Sequence, residues 1–373
     1  MSGTSLDGID AAAVEVCGAG DDIQASLAAF VSLAYDSPTR AAIADACGPA
    51  SSARDLTLLH ALLGRLFAEA AERAVHAAGW EDADAVGSHG QTVWHQPDDA
   101  PVGGATARGT LQLGDPSAIA ERLHAPVVSD FRARDMAVGG EGAPLVPLVD
   151  WLLYRRPDAS RALQNIGGIG NVTYLSAGCA LDDVLAFDTG PGVMVIDEAA
   201  RLLSDGALPF DVDGAMAAAG TVRREWLIDL LDDPWYRTPP PKSTGREVFG
   251  KGFARAWVDR CRRDGGAAPD IVATATALTA ESIANAYRDF LPGPPDEVII
   301  TGGGARNPVL VAMLRQRLSM PVRTADQMGW NGDAKEAVAF AVLADRTMQG
   351  LPGNVPRATG ASRPVVLGNV TPP

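Results

Sequence analysis

Asp188 closes an apolar strand and opens a glycine turn, in the run Phe187-Asp188-Thr189-Gly190-Pro191-Gly192. A carboxylate held at such a strand end can take a proton from a substrate as a general base, or serve as a turn or N-cap residue. Three glycine-rich segments could approach a phosphate. The loop 3–8 offers backbone N–H groups, the hydroxyls of Thr4 and Ser5, and Asp7 placed for a hydrated magnesium ion; Asp7 and Gly8 are equally ordinary turn residues. The run 165–172 (NIGGIGNV) is a second glycine nest, or a tight hairpin that needs glycine for its own geometry. Gly302, Gly303 and Gly304 precede a helix and could approach an adenine or ribose closely, but they do not spell the dinucleotide fingerprint G-x-G-x-x-G. Glu336 stands three residues after Asp333 at a helix start, in capping-box register, which is a structural role. His89 and His95 are too isolated for a metal site, and each reads as a polar contact to substrate or a satisfied core histidine.

One near match is set aside. Residues 245–252 (GREVFGKG) fit G-x-x-x-x-G-K, but Gly252 stands where a P-loop has its magnesium-binding hydroxyl. The segment also follows a proline-rich loop, where a P-loop needs a buried strand.

The elements that must position these residues alternate between strand and helix. Strands are expected at 9–16 and 23–34 around a turn at 18–22, then a helix over 55–78 whose Leu59, Leu62, Leu63, Leu66 and Phe67 share one face. A short strand at 85–88 leads to a loop opening with His89, Gly90, Gln91 and Thr92, then a helix at 116–123 and a strand at 127–129. The second half repeats the style. Strands are expected at 162–166, 172–175, 186–188, 297–301 and 322–324, with helices to about 203 and over 276–290, 307–318 and 333–348; 236–244 is a proline-rich loop. The α/β layering and the echo between 3–10 and 165–172 suggest two related lobes clamping a nucleotide.

The chain has 373 residues, enough for about two domains. A net charge of −15 argues against general affinity for nucleic acid or anionic membranes, and leaves a locally bound nucleotide open. Four scattered cysteines form no C-x-x-C pair, so a reducing cytoplasm fits. No leader with a basic segment and an apolar core is visible, and the longest uncharged stretch, 162–181, is too polar to span a bilayer.

In combination the motifs resemble a family. GTSLDGID (3–10), HGQTVWH (89–95), LQLGD (111–115), DFRARD (130–135), GAPLVP (142–147), NIGGIGNV (165–172), DTGPG (188–192), PKSTGREVF (241–249), GGGARNP (302–308) and GDAKEAVAFA (332–341) run in order along nearly the whole chain. Together they are similar to the anhydro-N-acetylmuramic acid kinases. The resemblance implies an actin/hexokinase-like fold of two ribonuclease-H-like lobes with an interlobe active-site cleft, divided here as 1–130 plus about 345–373, and 131–344. It implies ATP and magnesium as cofactors, and conversion of 1,6-anhydro-N-acetylmuramic acid and water to N-acetylmuramic acid 6-phosphate in cell-wall recycling.

Carried onto this chain, the resemblance makes Asp188 the base that activates water, with Glu336 its helper. The ATP phosphates fall to Gly3, Thr4, Ser5, Leu6, Asp7, Gly8, Ile9 and Asp10, with Asn165, Gly167, Gly168, Gly302, Gly303, Gly304 and Asn307 contributing from the second half. Asp7 faces the metal through water. Arg132 becomes the partner of the lactyl carboxylate, and His89, Gln91 and Thr92 become sugar contacts. The partners expected are ATP and a small amino sugar, with no nucleic acid and no membrane, and a homodimer stays open. Gly170 stands where alanine is usual. The family pattern also has several apolar residues ahead of MSGTS as a first strand, so either the start lies upstream of Met1 or the first lobe lacks a central strand. Without that strand the phosphate loop would be poorly anchored. Two other classes stay open: another sugar or acetate-type kinase of the same fold, and a non-catalytic ATP-binding protein.

Overall fold

The structure is a computed structural model that describes residues 1–373 except Thr4, Ser5 and Asp7, together with the side chain of Glu247. It divides into two compact units, Met1–Tyr154 with Ala334–Pro373, and Arg155–Asp333. These bounds differ from the 130/131 and 344/345 divisions read from the sequence. Helices Phe131–Ala137 and Val146–Tyr154, and the whole of helix Lys335–Met348, belong to the first unit. Packing sets that division, and the change from one motif to the next in sequence does not register it.

In the first unit, strands β1 (Gly8–Ala19) and β2 (Asp22–Ala34) form an antiparallel hairpin. Strand β3 (Val86–Ser88) pairs in parallel with β6 (Val127–Ser129), which also carries a last short antiparallel strand, Asn369–Thr371. A single parallel bridge, Ser2 to Gln91, lies outside these ladders. The loop expected after β3 is instead a second hairpin, β4 (Gln91–Val102) with β5 (Ala105–Leu113). Its alternation is broken by two register shifts and by prolines at 97 and 101, which hid it from a period-two reading.

Helix Ala53–Ala77 begins at Ser52, whose hydroxyl accepts the Asp55 N–H, and buries Leu59, Leu63, Phe67, Ala70 and Ala74 along one stripe. Helix Lys335–Met348 lies against β3 so closely that a Cβ on Gly87 would stand 2.3 Å from the Phe340 carbonyl oxygen. Backbone meets backbone there, which only glycine allows.

The second unit is built on one mixed sheet in the order β11-β10-β7-β8-β9: β7 (Arg161–Ile166), β8 (Ile169–Leu175), β9 (Leu185–Pro191), β10 (Glu297–Thr301) and β11 (Val322–Thr324). Strands β7, β8 and β9 form an antiparallel meander, while β10 and β11 run parallel to β7. Strand β7 is therefore central, and it is buried at every position but Asn165. A meander followed by two parallel strands on the far side of the first is the ribonuclease-H-like sheet order.

Helix Ala268–Phe290 crosses this unit and starts eight residues before the expected 276. Thr274, Thr276 and Thr279 are wholly buried, so the helix has no polar face in its first half to reveal its period. The Thr274 and Thr276 hydroxyls donate to the carbonyls of Asp270 and Val272 one turn back. Thr279 instead reaches out of the helix and donates to the Gly192 carbonyl at 2.7 Å.

Candidate active site

Asp188 sits on β9 opposite Asn171 of β8. The helix that follows begins at Met194 with Val193 at its N-cap, so Asp188 is not a cap. The segment after the short turn Pro234–Arg237 folds back onto it instead. The Thr244 N–H donates to Asp188 Oδ2 at 2.8 Å, and the Asp188 N–H donates to the Lys242 carbonyl at 3.1 Å. Backbone bonds at its N–H and at its carboxylate fix where Asp188 points, which a general base requires.

Part of the turn after Asp188 is packed backbone against backbone. The Gly192 N–H donates to the Gly168 carbonyl at 2.9 Å and the Val193 N–H to the Gly167 carbonyl at 2.8 Å. A Cβ on Gly192 would lie 2.0 Å from the Gly167 oxygen. The two glycine turns are thus stacked, and the Gly167–Gly168 carbonyls are spent on the 188–192 turn. Beneath them the Tyr287 hydroxyl donates to Gln164 Oε1, whose amide donates to Thr189 Oγ1.

Beside this cluster, Gly302 has a φ of 79° and Asn165 Oδ1 would be 2.5 Å from any Cβ there. Asn307 Oδ1 accepts the N–H groups of Val309 and Leu310 at 3.1 Å each, so Asn307 is the N-cap of helix Pro308–Arg317 and has only its amide nitrogen left for a ligand. The ends of β10 and β11 border a shallow pocket whose lining includes Thr301, Gly302, Ala305, Arg306, Asp326 and Asp333.

The remaining candidates lie on the first unit. Arg132, on helix Phe131–Ala137, donates from Nε to His89 Nε2 at 2.9 Å and from Nη1 to the Gly142 carbonyl at 2.8 Å. His89 Nδ1 is 2.9 Å from the Gly90 carbonyl, so the ring carries its proton on Nδ1 and accepts on Nε2. Burial, then the Arg132 charge, hold its pKa well below the ordinary histidine value. His89 is therefore a neutral prop for the guanidinium.

Glu336 departs from the capping-box expectation. The N-cap of its helix is Ala334, with no side-chain cap, and Asp333 pairs with Arg306. Its side chain is exposed to solvent. Loss of hydration raises its carboxyl, and Arg132 and Lys335 work against that rise. Lys335 is itself paired with the buried Asp150 at 2.9 Å.

Two expected sugar contacts are engaged elsewhere. Gln91 is wholly buried, with Ser2 Oγ 2.6 Å from its Oε1 and its Nε2 donating to the carbonyls of Gly3 and Thr92. It clasps the loop at 3–8 and is not available to a sugar. Thr92 Oγ1 accepts from Gln112 on the neighbouring strand. Of the loop itself, Gly3, Leu6, Gly8, Ile9 and Asp10 are described, and Leu6 has a φ of 58° with its carbonyl accepting from Arg40. Thr4, Ser5 and Asp7, three of the residues expected at phosphate and metal, lie outside the described residues.

Residues 1–373 match the family described as Anhydro-N-acetylmuramic acid kinase. The chain belongs to that family. A protein named anhydro-N-acetylmuramic acid kinase from Caldanaerobacter subterraneus subsp. tengcongensis is 46% identical over 377 residues, covering 100% of this chain and 95% of its own length. One of the same name from Salinibacter ruber is 45% identical over 379 residues, with the same coverage. Among solved structures, a ROK family glucokinase from Streptomyces griseus in complex with glucose and AMPPNP aligns at a TM-score of 0.37 and 13% identity, over 90% of this chain and 99% of that one. A likeness that low carries no argument here.

Within this anhydro-N-acetylmuramic acid kinase family member, sequence reading gave no role to three groups that the structure ties to the candidates. Lys242 and Thr244 hold Asp188 from 54 and 56 residues away, and Asp135 gathers Gly142, Asn354 and Thr359 behind Arg132. The one available signal was an isolated lysine in a proline-rich loop, in the motif PKSTGREVF.

Proposed function

We infer that Asp188 is the general base and Glu336 the second catalytic carboxyl of an ATP-dependent kinase acting on 1,6-anhydro-N-acetylmuramic acid. Kinase activity in peptidoglycan recycling follows from the full-length family match. The observation that supports the base is its clasp: Asp188 is fixed by backbone at both its N–H and its Oδ2, and no helix claims it as a cap.

In this reading Asp188 takes a proton from water as the water oxygen bonds to the anomeric carbon. The bond from that carbon to the bridging oxygen breaks, and the bridging oxygen bonds to the γ-phosphorus as ADP leaves. Atoms balance: sugar, water and ATP give the 6-phosphate, ADP and a proton. Arg132, held by His89 and Gly142, offers the rest of its fork to the lactyl carboxylate. We assign the adenosine half of ATP to the pocket beside Gly302, where glycine lets a ligand approach the backbone closely.

Among the described residues no three of His, Cys, Asp and Glu converge as a metal cage. Magnesium entering on the ATP phosphates keeps most of its waters and needs no such cage, so the donor set is compatible with it; Asp7 is the carboxylate we assign to its hydration shell. When bound it neutralises charge on the transferring phosphoryl group. No helix among the described residues is long and apolar enough to cross a membrane. We place the reaction in the cytoplasm, where ATP is supplied and the four cysteines stay reduced.

Incubation with the anhydro-sugar, ATP and magnesium in oxygen-18 water, followed by mass spectrometry, tests the reading. Label belongs at the anomeric hydroxyl of a phosphorylated sugar. Label in inorganic phosphate with unchanged sugar means plain ATP hydrolysis and refutes it.

A further inference from the structure

The segment that clasps Asp188 brings a fixed positive charge with it. Residues 242 and 244 straddle Asp188, one accepting its N–H and the other donating to its carboxylate. Between those two bonds the Lys242 side chain turns inward. Its ammonium lies 4.3 Å from the ring centre of Trp235 and 4.5 Å from that of Phe290, and donates to the Tyr236 carbonyl at 3.2 Å.

A lysine on a loop ordinarily keeps a hydrated, mobile tip. Stacked on two aromatic faces and tied to one carbonyl, this one is a charge of defined position. Trp235 is anchored in turn, because Asp233 accepts its N–H at 2.8 Å and its indole donates to the Ser243 carbonyl. Thr244, whose N–H holds Asp188, also has a buried Oγ1 with no hydrogen-bond partner among the described residues, a polar atom open to a ligand or its water.

We propose that Lys242 is a positioning residue for Asp188: its ammonium, caged by Trp235 and Phe290, keeps the Asp188 carboxylate ionised and seats the 242–244 clasp upon it. The inference rests on the reading of Asp188 as the base. The charged groups acting on the ammonium are Asp188 from β9 and Asp289 from helix Ala268–Phe290, while Asp233, before the Pro234–Arg237 turn, acts on Tyr236. Burial lowers the Lys242 ammonium to about 8, with Asp188 and then Asp289 opposing the fall. The residue is therefore charged at neutral pH and discharges just above it.

Two limbs of the pH profile follow. On the acid side, the positive charge favours ionised Asp188, so activity persists to lower pH than the carboxylate alone would allow. On the alkaline side Asp188 stays ionised, but loss of the lysine proton near pH 8 ends the attraction of the ammonium to the Trp235 and Phe290 faces and loosens the 242–244 clasp on it. Lys242→Met should move the acid limb of kcat/KM up by about one pH unit, the size expected when a carboxylate loses a neighbouring opposite charge. Lys242→Arg keeps the charge at every working pH, so it should hold the acid limb and abolish the alkaline limb near pH 8.

The test is the kcat/KM pH profile of wild type, Lys242→Met, Lys242→Arg and Asp188→Asn, with the anhydro-sugar and ATP. An acid limb unmoved in Lys242→Met, or an alkaline limb in Lys242→Arg that stays at the wild-type position, overturns the proposal whatever the loss in rate. If Lys242→Met does not fold, the alkaline limb of Lys242→Arg decides alone. Near-wild-type turnover by Asp188→Asn would sink the base itself, whereas an inactive Asp188→Asn with unmoved Lys242 limbs would sink only the role of the lysine.

Discussion

Thr279 offers a perturbation whose two effects can be separated. Its hydroxyl leaves helix Ala268–Phe290 and donates at 2.7 Å to the carbonyl of Gly192, in a position with no solvent exposure. Thr279→Val keeps the shape and removes the donor. The Gly192 carbonyl then loses a buried partner, a cost of about 1–3 kcal/mol. Thr279→Ser keeps the donor and removes one buried methyl, a cost of about 1 kcal/mol. The stabilities overlap, but the consequences for the turn do not. Gly192 is stacked on Gly167, and Asp188 stands four residues upstream on the same turn. A turn released from the helix shifts the base, and misplacement by about 1 Å costs up to roughly a hundredfold in rate. Urea unfolding and steady-state kinetics on both variants provide the assay. Valine should lower both stability and kcat, the latter by at least about tenfold; serine should lower stability and leave kcat near wild type. A valine variant with normal kcat would show that the Thr279 bond supports the helix and not the catalytic turn.

Asp188→Asn should fold and bind both substrates while turnover falls by about 10²–10⁴-fold, measured by coupled ADP release; retention of a tenth of wild-type kcat returns Asp188 to a structural role. Arg132→Ala should cost about 2–5 kcal/mol in kcat/KM on the lactyl-bearing sugar and far less on a lactyl-free analogue. Equal losses on the two sugars would mean that Arg132 serves only to hold His89 and Gly142. Asp197 is raised to about 7 by burial and then by Asp211. Its folded pKa lies above its unfolded one, so its contribution to stability is full below about pH 3.8 and is lost as pH climbs through about 7. Asp197→Asn should flatten that fall and add about 1–2 kcal/mol at pH 8, less than the full shift implies because the group is partly solvated; denaturant midpoints unchanged at pH 8 would refute it.

Sequence patterns revealed the parts of this protein whose signals are local. Helix Ala53–Ala77 has an N-cap and a one-sided stripe, and β7, β9 and β10 are short apolar runs ended by glycine. Asp188 is legible as a carboxylate at the end of such a run, where a base and a turn or cap residue are both open readings. What stayed hidden depends on partners distant in sequence. Gln91 reads as a sugar contact at the opening of a loop, and only its contacts with Ser2 and Gly3 show it to be engaged within the protein. Asp333 fits a capping box by spacing, yet Arg306 takes its carboxylate. Lys242 carries no local sign of the two rings that hold it.

The bond between Arg132 and His89 has a consequence for how an anionic sugar would be recognised. A histidine beside a binding arginine would ordinarily add a second positive charge as the medium turns acidic, and affinity for an anion would climb with it. Here the imidazole lone pair is already committed to the guanidinium, and burial disfavours a second proton. The ring acts as a fixed dipole. The His89–Arg132 pair therefore contributes only the charge of the guanidinium through the mildly acid range. Titration of the histidine adds nothing to its grip on a carboxylate, and the orientation of the fork is settled when the chain folds, before any ligand arrives.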